Sequence, residues 1–196
     1  MVELEWVVNT VFSSVTYVIP CGEVDHQPAC WLVDCGDVEK VLYKGYYVRG
    51  VLLTHVHYDH IYGLNRLLAA MPQALIYTNA DGEVALQDPR LNFSRYHPDV
   101  PDFMLERPGA VRVVKDEGML LDGGLQVEVW LTPGHTPNCL TYLVDGNLFT
   151  GDAYIPGVKV VTTFPRSNKV EAARSLARLQ EMEKTGITVR PGHRIS

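Results

Sequence analysis

Three imidazoles and a carboxylate fall within six residues in His55-Val56-His57-Tyr58-Asp59-His60, directly after an apolar, strand-like run. In an extended segment, residues i and i+2 point the same way. His55 and His57 can therefore face one ion, while the following turn swings Asp59 and His60 toward another. Further ligand types stand downstream at turns: His135 in Thr132-Pro133-Gly134-His135, Asp152 in Thr150-Gly151-Asp152, and His193 in Arg190-Pro191-Gly192-His193. Imidazole and carboxylate donors suit zinc, iron or manganese, and the absence of thiolates argues against a closed structural zinc site. Open positions would remain for water, and a hydroxide shared by two ions is a nucleophile near neutral pH.

Of the 7 histidines in the chain, only His26 and His97 lie outside this set, so chance clustering is a poor account of it. His97, in Arg95-Tyr96-His97-Pro98, reads as a loop residue rather than a ligand, with a place at the substrate mouth open to it. The four cysteines, Cys21, Cys30, Cys35 and Cys139, form no C-x-x-C pair, and they read as reduced, mostly buried thiols rather than ligands.

Short strands are expected at residues 4–8, 11–19, 29–34 and 48–53, each rich in Val, Ile, Tyr or Trp. Leu64, Leu67, Leu68 and Met71 recur at helical spacing, Pro72 marks the stop, and residues 74–77 return to a strand. Residues 78–108 read as a loop-rich excursion with a short helix near 81–87. Strand signals resume at 111–114, 126–131, 140–144 and 148–149, with Asp122-Gly123-Gly124 and Asp145-Gly146-Asn147 as tight turns. A helix over 169–184 carries Asn168 as its cap and Gly186 past its end, and a last strand at 187–190 places His193 at its tip. Two blocks of strands, each followed by a helix, predict an α/β chain folded as a four-layer αββα sandwich of two mixed sheets in one domain spanning 1–196. Every ligand candidate follows a strand, where such a fold gathers loops along one edge.

The chain has 196 residues, 46% hydrophobic and 20% charged, and a formal net charge of -6. An acidic chain without a basic run disfavours nucleic-acid binding. No apolar run reaches membrane-spanning length, and the opening residues lack the positive region of a secretory signal. A cytoplasmic protein with a small-molecule substrate is expected, without nucleic-acid or membrane partners; a homodimer stays open.

With these residues assembled, the chain resembles the metallo-β-lactamase-fold hydrolases, whose signature is H-x-H-x-D-H followed by a distant His, an Asp and a final His. His55 to His60, Gly134-His135-Thr136-Pro137, Thr150-Gly151-Asp152 and Pro191-Gly192-His193 carry the likeness, and the run Cys30 to Asp37 is similar to the strand that this family places under its metal loops. The resemblance implies two divalent ions, zinc first with iron or manganese as alternatives. One would be held by His55, His57 and His135, the other by Asp59, His60 and His193, with Asp152 between them. A bridging Asp points to the glyoxalase II, lactonase and phosphodiesterase branches rather than to antibiotic hydrolysis.

The segment Asp88-Pro89-Arg90-Leu91-Asn92-Phe93-Ser94 and the run from Gly151 through Phe164-Pro165 resemble small bacterial glyoxalase II-like proteins. Two departures concern glutathione thioesters. The sequence ends three residues after His193, without the C-terminal helical region of full-length glyoxalase II, and Val161-Thr162-Thr163 stands where that group often carries Arg-Thr-Asp. The expected reaction is hydrolysis of a small ester or thioester, with Asp59 orienting the hydroxide and Tyr154 as a candidate oxyanion donor, although packing or a pocket wall is the simpler reading of that Tyr. Arg166 and Lys169 could take an anionic substrate group, although solvated cations are the simpler reading. The competing expectation is a mononuclear-iron oxidoreductase similar to persulfide dioxygenases; a non-catalytic binding module ranks below both.

Overall fold

Alternation along the second strand sets the layers. Val15, Tyr17 and Ile19 point into one apolar cluster, while Val18 points into another on the opposite face, as a two-residue period requires. The structure, a computed structural model, describes residues 4–122 and 125–194. Its first sheet has six strands in the order β1 (Glu5–Val8), β2 (Val15–Val24), β3 (Gln27–Val33), β4 (Tyr47–Leu52), β5 (Leu75–Thr78) and β6 (Val111–Val113). The pairs β1/β2 and β2/β3 are antiparallel, and the pairs from β3 to β6 are parallel. The second sheet pairs β7 (Gly118–Asp122), β8 (Leu125–Leu131), β9 (Leu140–Val144) and β10 (Asn147–Gly151) antiparallel, then adds β11 (Thr188–Pro191) parallel to β10.

Between the sheets lie Val15, Tyr17, Trp31, Val33 and Leu52 from one side and Val127, Val129, Leu140, Tyr142 and Phe149 from the other. Trp31, Tyr142 and Phe149 are among the largest fully buried side chains, each worth about 1.5–3 kcal/mol of burial or somewhat more for its size. Outside the first sheet pack α1 (Val38–Leu42), α2 (Tyr58–Ile61), α3 (Leu64–Ala70) and α4 (Ala80–Ala85), through Val38, Val41, Ile61, Leu64, Leu67 and Ala85. Outside the second, α5 (Lys169–Glu183) sets Leu179 and Leu176 against Leu148, Leu143 and Val189. The expected αββα sandwich is the observed one.

Asn168 caps α5 as expected, accepting from the amides of Val170 and Glu171 at 2.9 and 3.2 Å. Asp145 and Gly146 both have positive φ and close the β9–β10 hairpin, the geometry of its two-residue turn. One boundary moves and two short elements are added. The second strand starts at Val15 rather than Val11, because residues 9–13 turn instead, with Phe12 and Ser13 at φ 51° and 55°. Helix α1 and strand β7 went unread in the sequence; α1 is only five residues long. Gly123 and Gly124 of the expected Asp122-Gly123-Gly124 turn lie outside the described residues, between the antiparallel β7 and β8.

Candidate metal centre

All the clustered ligand types follow the C-terminal ends of strands whose ends meet on one edge: His55 to His60 after β4, His135 after β8, Asp152 after β10 and His193 after β11. Backbone and side-chain bonds between the sheets lock that edge together. The Leu140 amide donates to Thr54 O at 2.7 Å, the Val56 amide to Asn138 Oδ1 at 3.1 Å, and the Val15 amide to Gly192 O at 2.8 Å. His57 is still extended, at φ -74° and ψ 149°, and the single turn of α2 begins at Tyr58. The switch from extended chain to helical turn splits the motif into His55/His57 and Asp59/His60. Ser14 holds the turn by donating from Oγ to Asp59 O at 2.7 Å. Gly151, at φ 51°, passes close against Thr54; a Cβ there would lie 2.3 Å from Thr54 Oγ1.

Among the described residues, three groups of donor atoms form, each within 4.8 Å: His55, His57 and His135; His55, His60 and Asp152; and Asp59, His60 and His193. Asp152 joins the two halves. Its Oδ2 lies 3.6 Å from His135 Nε2 and 4.0 Å from His55 Nε2, and its Oδ1 lies 3.4 Å from His193 Nε2 and 3.7 Å from His60 Nε2. Asp59 Oδ2 lies 3.3 Å from His60 Nε2 and 3.4 Å from His193 Nε2.

The far nitrogens of four rings are anchored. His60 Nδ1 donates to Asp34 Oδ2 at 2.8 Å, His135 Nδ1 to Val161 O at 2.8 Å, and His193 Nδ1 to Phe12 O at 3.0 Å. Thr54 Oγ1 donates to Asp34 Oδ2 at 2.7 Å, so it accepts from His55 Nδ1 at 3.3 Å. Each such bond fixes the proton on Nδ1 and leaves Nε2 with a lone pair aimed into the cluster, as oxygen partners do for ligating histidines. His57 is reversed, presenting Nδ1 to His135 Nε2 at 3.2 Å.

The cluster fits divalent cations. His55 Nε2 and Asp152 Oδ1 are buried without a hydrogen-bond partner, and a buried donor or acceptor left so costs about 1–3 kcal/mol. Nitrogen pairs facing each other at 3.2 and 3.3 Å, His57/His135 and His60/His193, are lone pair against lone pair unless a proton or cation lies between. Burial, with repulsion from His60, His57 and His135, drives His55 well below its ordinary 6.5, and burial with His135 brings His57 to about 3. Burial opposes charge on His60 too, yet Asp59 and Asp34 beside it raise it well above 6.5. At Asp152 burial opposes ionisation, but His193, His60 and His135 outweigh it and hold the carboxyl below the carboxylate range.

The remaining sequence candidates fall elsewhere. Tyr154 does not line the metal cavity; its hydroxyl donates to Glu183 Oε2 on α5 at 2.6 Å, and its ring packs with Cys139, Ala153 and Leu179. The chain turns after Gly151, closed by Thr150 Oγ1 donating to Tyr154 O at 2.6 Å, and the ring lies against α5, away from the cavity. Arg166 pairs with Asp81, and neither it nor Lys169 lines the cavity. His97 does, between Phe12 and Tyr58 with ring centroids at 5.0 and 5.4 Å. The cysteines are free, and burial pushes the Cys139 thiol up to about 12. Phe12, Phe93 and Phe164 also line the cavity; Phe93 and Phe164 enter the sequence reading only within the segments of the family likeness, and Phe12 only within an expected strand, because a lone Phe carries no site signature.

Among solved structures, the chain is similar to the BLEG-1 B3 metallo-beta-lactamase, at TM-score 0.83 and 21% identity over 98% of this chain and 92% of that one. It is similar to TTHA1623 in a di-iron-bound form, at TM-score 0.78 and 26% identity over 97% and 92%. ETHE1 from Myxococcus xanthus matches at TM-score 0.70 and 24% identity over 98% and 76%. A hydroxyacylglutathione hydrolase of Citrobacter koseri is 29% identical over 137 residues, 68% of this chain and 45% of that protein, so the chain spans about half the length of this curated relative. The model of the metallo-beta-lactamase superfamily matches residues 25–193. Because that stretch runs from the β2–β3 turn through the last histidine of the cluster, the chain belongs to the metallo-beta-lactamase superfamily.

Proposed function

We propose that this protein is a hydrolase of small esters or thioesters that works with two divalent cations. The observation that carries the reading is Asp152, whose two carboxylate oxygens are divided between the His55/His135 side and the His60/His193 side. His55, His57 and His135 would hold one cation, Asp59, His60 and His193 the other, and Asp152 would touch both. Zinc, iron and manganese all suit nitrogen and carboxylate donors, and a di-iron-bound relative keeps iron in play. When bound, such a pair supplies Lewis acidity toward a carbonyl oxygen and lowers the pKa of a shared water.

The chain's own part is to keep His55 and His57 unprotonated and the water oriented. Burial keeps His55 and His57 neutral, and Asp59, ionised, accepts a hydrogen bond from the water and aims it. The hydroxyacylglutathione hydrolase relative supports a thioester as the bond broken. A mononuclear-iron oxidoreductase needs only two histidines and one aspartate, and the complete second group, Asp59/His60/His193, favours two ions.

The test is elemental analysis of the purified protein, followed by a screen of thioesters, lactones and phosphodiesters with Asp152→Ala as control. Two metal equivalents and thioester turnover lost in Asp152→Ala are expected. One iron per chain with oxygen consumed on a persulfide would overturn the reading.

A further inference from the structure

The cavity above the metal cluster has a volume of about 390 Å³, and among the described residues no lysine or arginine lines it. Its carboxylates, Asp59 and Asp152, belong to the ion-binding floor. The walls are aromatic. Phe93 stands edge-on to His57 and Phe164, with ring centroids at 4.7 and 5.1 Å, and 5.8 Å from Tyr96. Phe12, His97 and Tyr58 form a second run of rings. At the mouth, Phe12 is 64%, Tyr96 62% and Val161 44% exposed. These three come from three separate loops and meet around one cavity; scattered exposed apolar residues are ordinary, but grouping around a cleft marks a binding surface.

The chain also fixes rings in unfavourable backbone. Phe12 and Phe93 have φ of 51° and 66°, a region that bulky residues rarely enter and that tends to mark functional positions. Phe93 is held there by buried neighbours: Asn92 donates to Ala85 O and Phe103 O at 3.1 and 3.0 Å, and Ser94 Oγ accepts from the Phe103 amide at 2.8 Å. Arg95 and Arg166, close in sequence to Phe93 and Phe164, are paired with Asp102 and Asp81, and Arg194, next to His193, lines a neighbouring pocket rather than this one.

We infer that the substrate's acyl group is aromatic and carries no carboxylate, seated against Phe12, Phe93, Tyr96 and Phe164. The inference rests on the hydrolase reading for the bond that breaks: water adds to the carbonyl carbon, the C–S bond cleaves, and the thiol leaves with a proton. An aromatic ring there finds stacking partners, whereas a carboxylate on the acyl group would lose hydration with no lysine or arginine in the lining to pair with and with Asp59 and Asp152 nearby.

The test uses zinc-loaded full-length protein and three thioesters of N-acetylcysteamine: phenylacetyl, 4-carboxyphenylacetyl and acetyl. Calorimetry with the non-hydrolysable phenethyl thioether and its 4-carboxy analogue gives a readout apart from turnover. The phenylacetyl thioester is expected to exceed each of the others at least tenfold in kcat/KM. Phe12→Ala should narrow the phenylacetyl-to-acetyl ratio about tenfold, and Phe12→Tyr should restore it. Turnover of the 4-carboxy compound equal to or above that of phenylacetyl overturns the inference and leaves the hydrolase reading standing. Tighter binding of the uncharged thioether with no hydrolysis of any thioester supports the aromatic seat and overturns the hydrolase reading. Neither binding nor turnover overturns both.

Discussion

Asp34 and His60 form a fully buried pair, with Asp34 Oδ2 accepting from His60 Nδ1 at 2.8 Å, while both oxygens of Asp34 also accept from Thr54. Three donors converge on this one carboxylate, from the Thr54 amide, the Thr54 hydroxyl and the imidazole. It thereby orients His60 directly and His55 through Thr54, so its influence reaches both proposed ion positions.

An amide at position 34 would turn an N–H toward donors whichever way it faced. Asp34→Asn should therefore be nearly as damaging as Asp34→Ala. Asp34 has φ 59°, a conformation that asparagine tolerates, so the asparagine variant separates loss of charge from backbone strain. Metal affinity is expected to fall about 10–100-fold, with about 2–4 kcal/mol of stability lost through unsatisfied buried donors. Chelator competition and urea unfolding measure the two effects. Unchanged affinity in Asp34→Asn would remove Asp34 from the ligand-orienting role.

Gly192 stands where an added Cβ would lie 2.5 Å from Asp152 Oδ1 and 2.9 Å from the Gly151 carbonyl carbon. Its φ lies outside the left-handed region, so alanine is excluded by contact alone. Gly192→Ala should push Asp152 off its shared position and lower turnover by about 100-fold, the scale of a 1 Å misplacement. Metal-to-protein ratio and kcat on a thioester together check this, and the far-UV spectrum should stay native.

The ion-binding set was legible because its residue types are scarce and their spacing tracks strand and turn periods; five of seven histidines in one pattern leave little to coincidence. Asp34 was visible only through resemblance, since a buried Asp after a strand has no signature of its own. Tyr154 could be read from sequence either as an oxyanion donor or as packing, and the turn closed by Thr150 faces its ring to Glu183. The aromatic walls were unreadable for a different reason. Phe12, Phe93 and Phe164 lie far apart in the chain with no shared spacing, and only the meeting of three loops shows them lining a cavity. Short elements such as α1 escaped because a five-residue helix offers little more than one period of pattern.

The pH response of the metal-free protein follows from opposite shifts. His57 is held at about 3 by burial and His135, so below 6.5 the unfolded chain binds a proton that the folded one refuses, and stability falls as pH drops from 6.5 toward 3. His60 and His193 are raised despite burial, by Asp59 and Asp34 and by Asp152 respectively. Their contribution is complete below 6.5 and is lost as pH rises through their folded values. Cations compete with those protons, so metal binding near neutral pH should release protons and strengthen with pH. Calorimetric zinc titrations in buffers of different ionisation enthalpy count the protons. Zero release at pH 7 would contradict the raised His60 and His193.

Asp37 controls the β1–β2 turn from outside the metal cluster. Its carboxylate accepts from the Thr10 amide at 3.1 Å, Thr10 Oγ1 at 2.7 Å, Lys40 Nζ at 2.6 Å and the Tyr62 hydroxyl. That turn carries Phe12, whose carbonyl anchors His193 Nδ1 and whose ring stands at the cavity mouth. Partial burial works against the charge of Asp37, but the bonds from Lys40, Tyr62 and Thr10 prevail and hold its pKa at about 2, below the usual 3.8. The ionised state therefore stabilises the fold above 3.8, and the contribution is lost as pH falls through about 2. Asp37→Asn keeps the shape but gives up the charge-assisted bonds, and at pH 7 it should cost about 1–2 kcal/mol. The gap in urea midpoint between wild type and variant should narrow between pH 4 and pH 2. Because Phe12 moves with the turn, the same variant should raise KM for an aromatic thioester more than it lowers kcat. A kcat loss alone would mean that Asp37 supports His193 without shaping the cavity mouth.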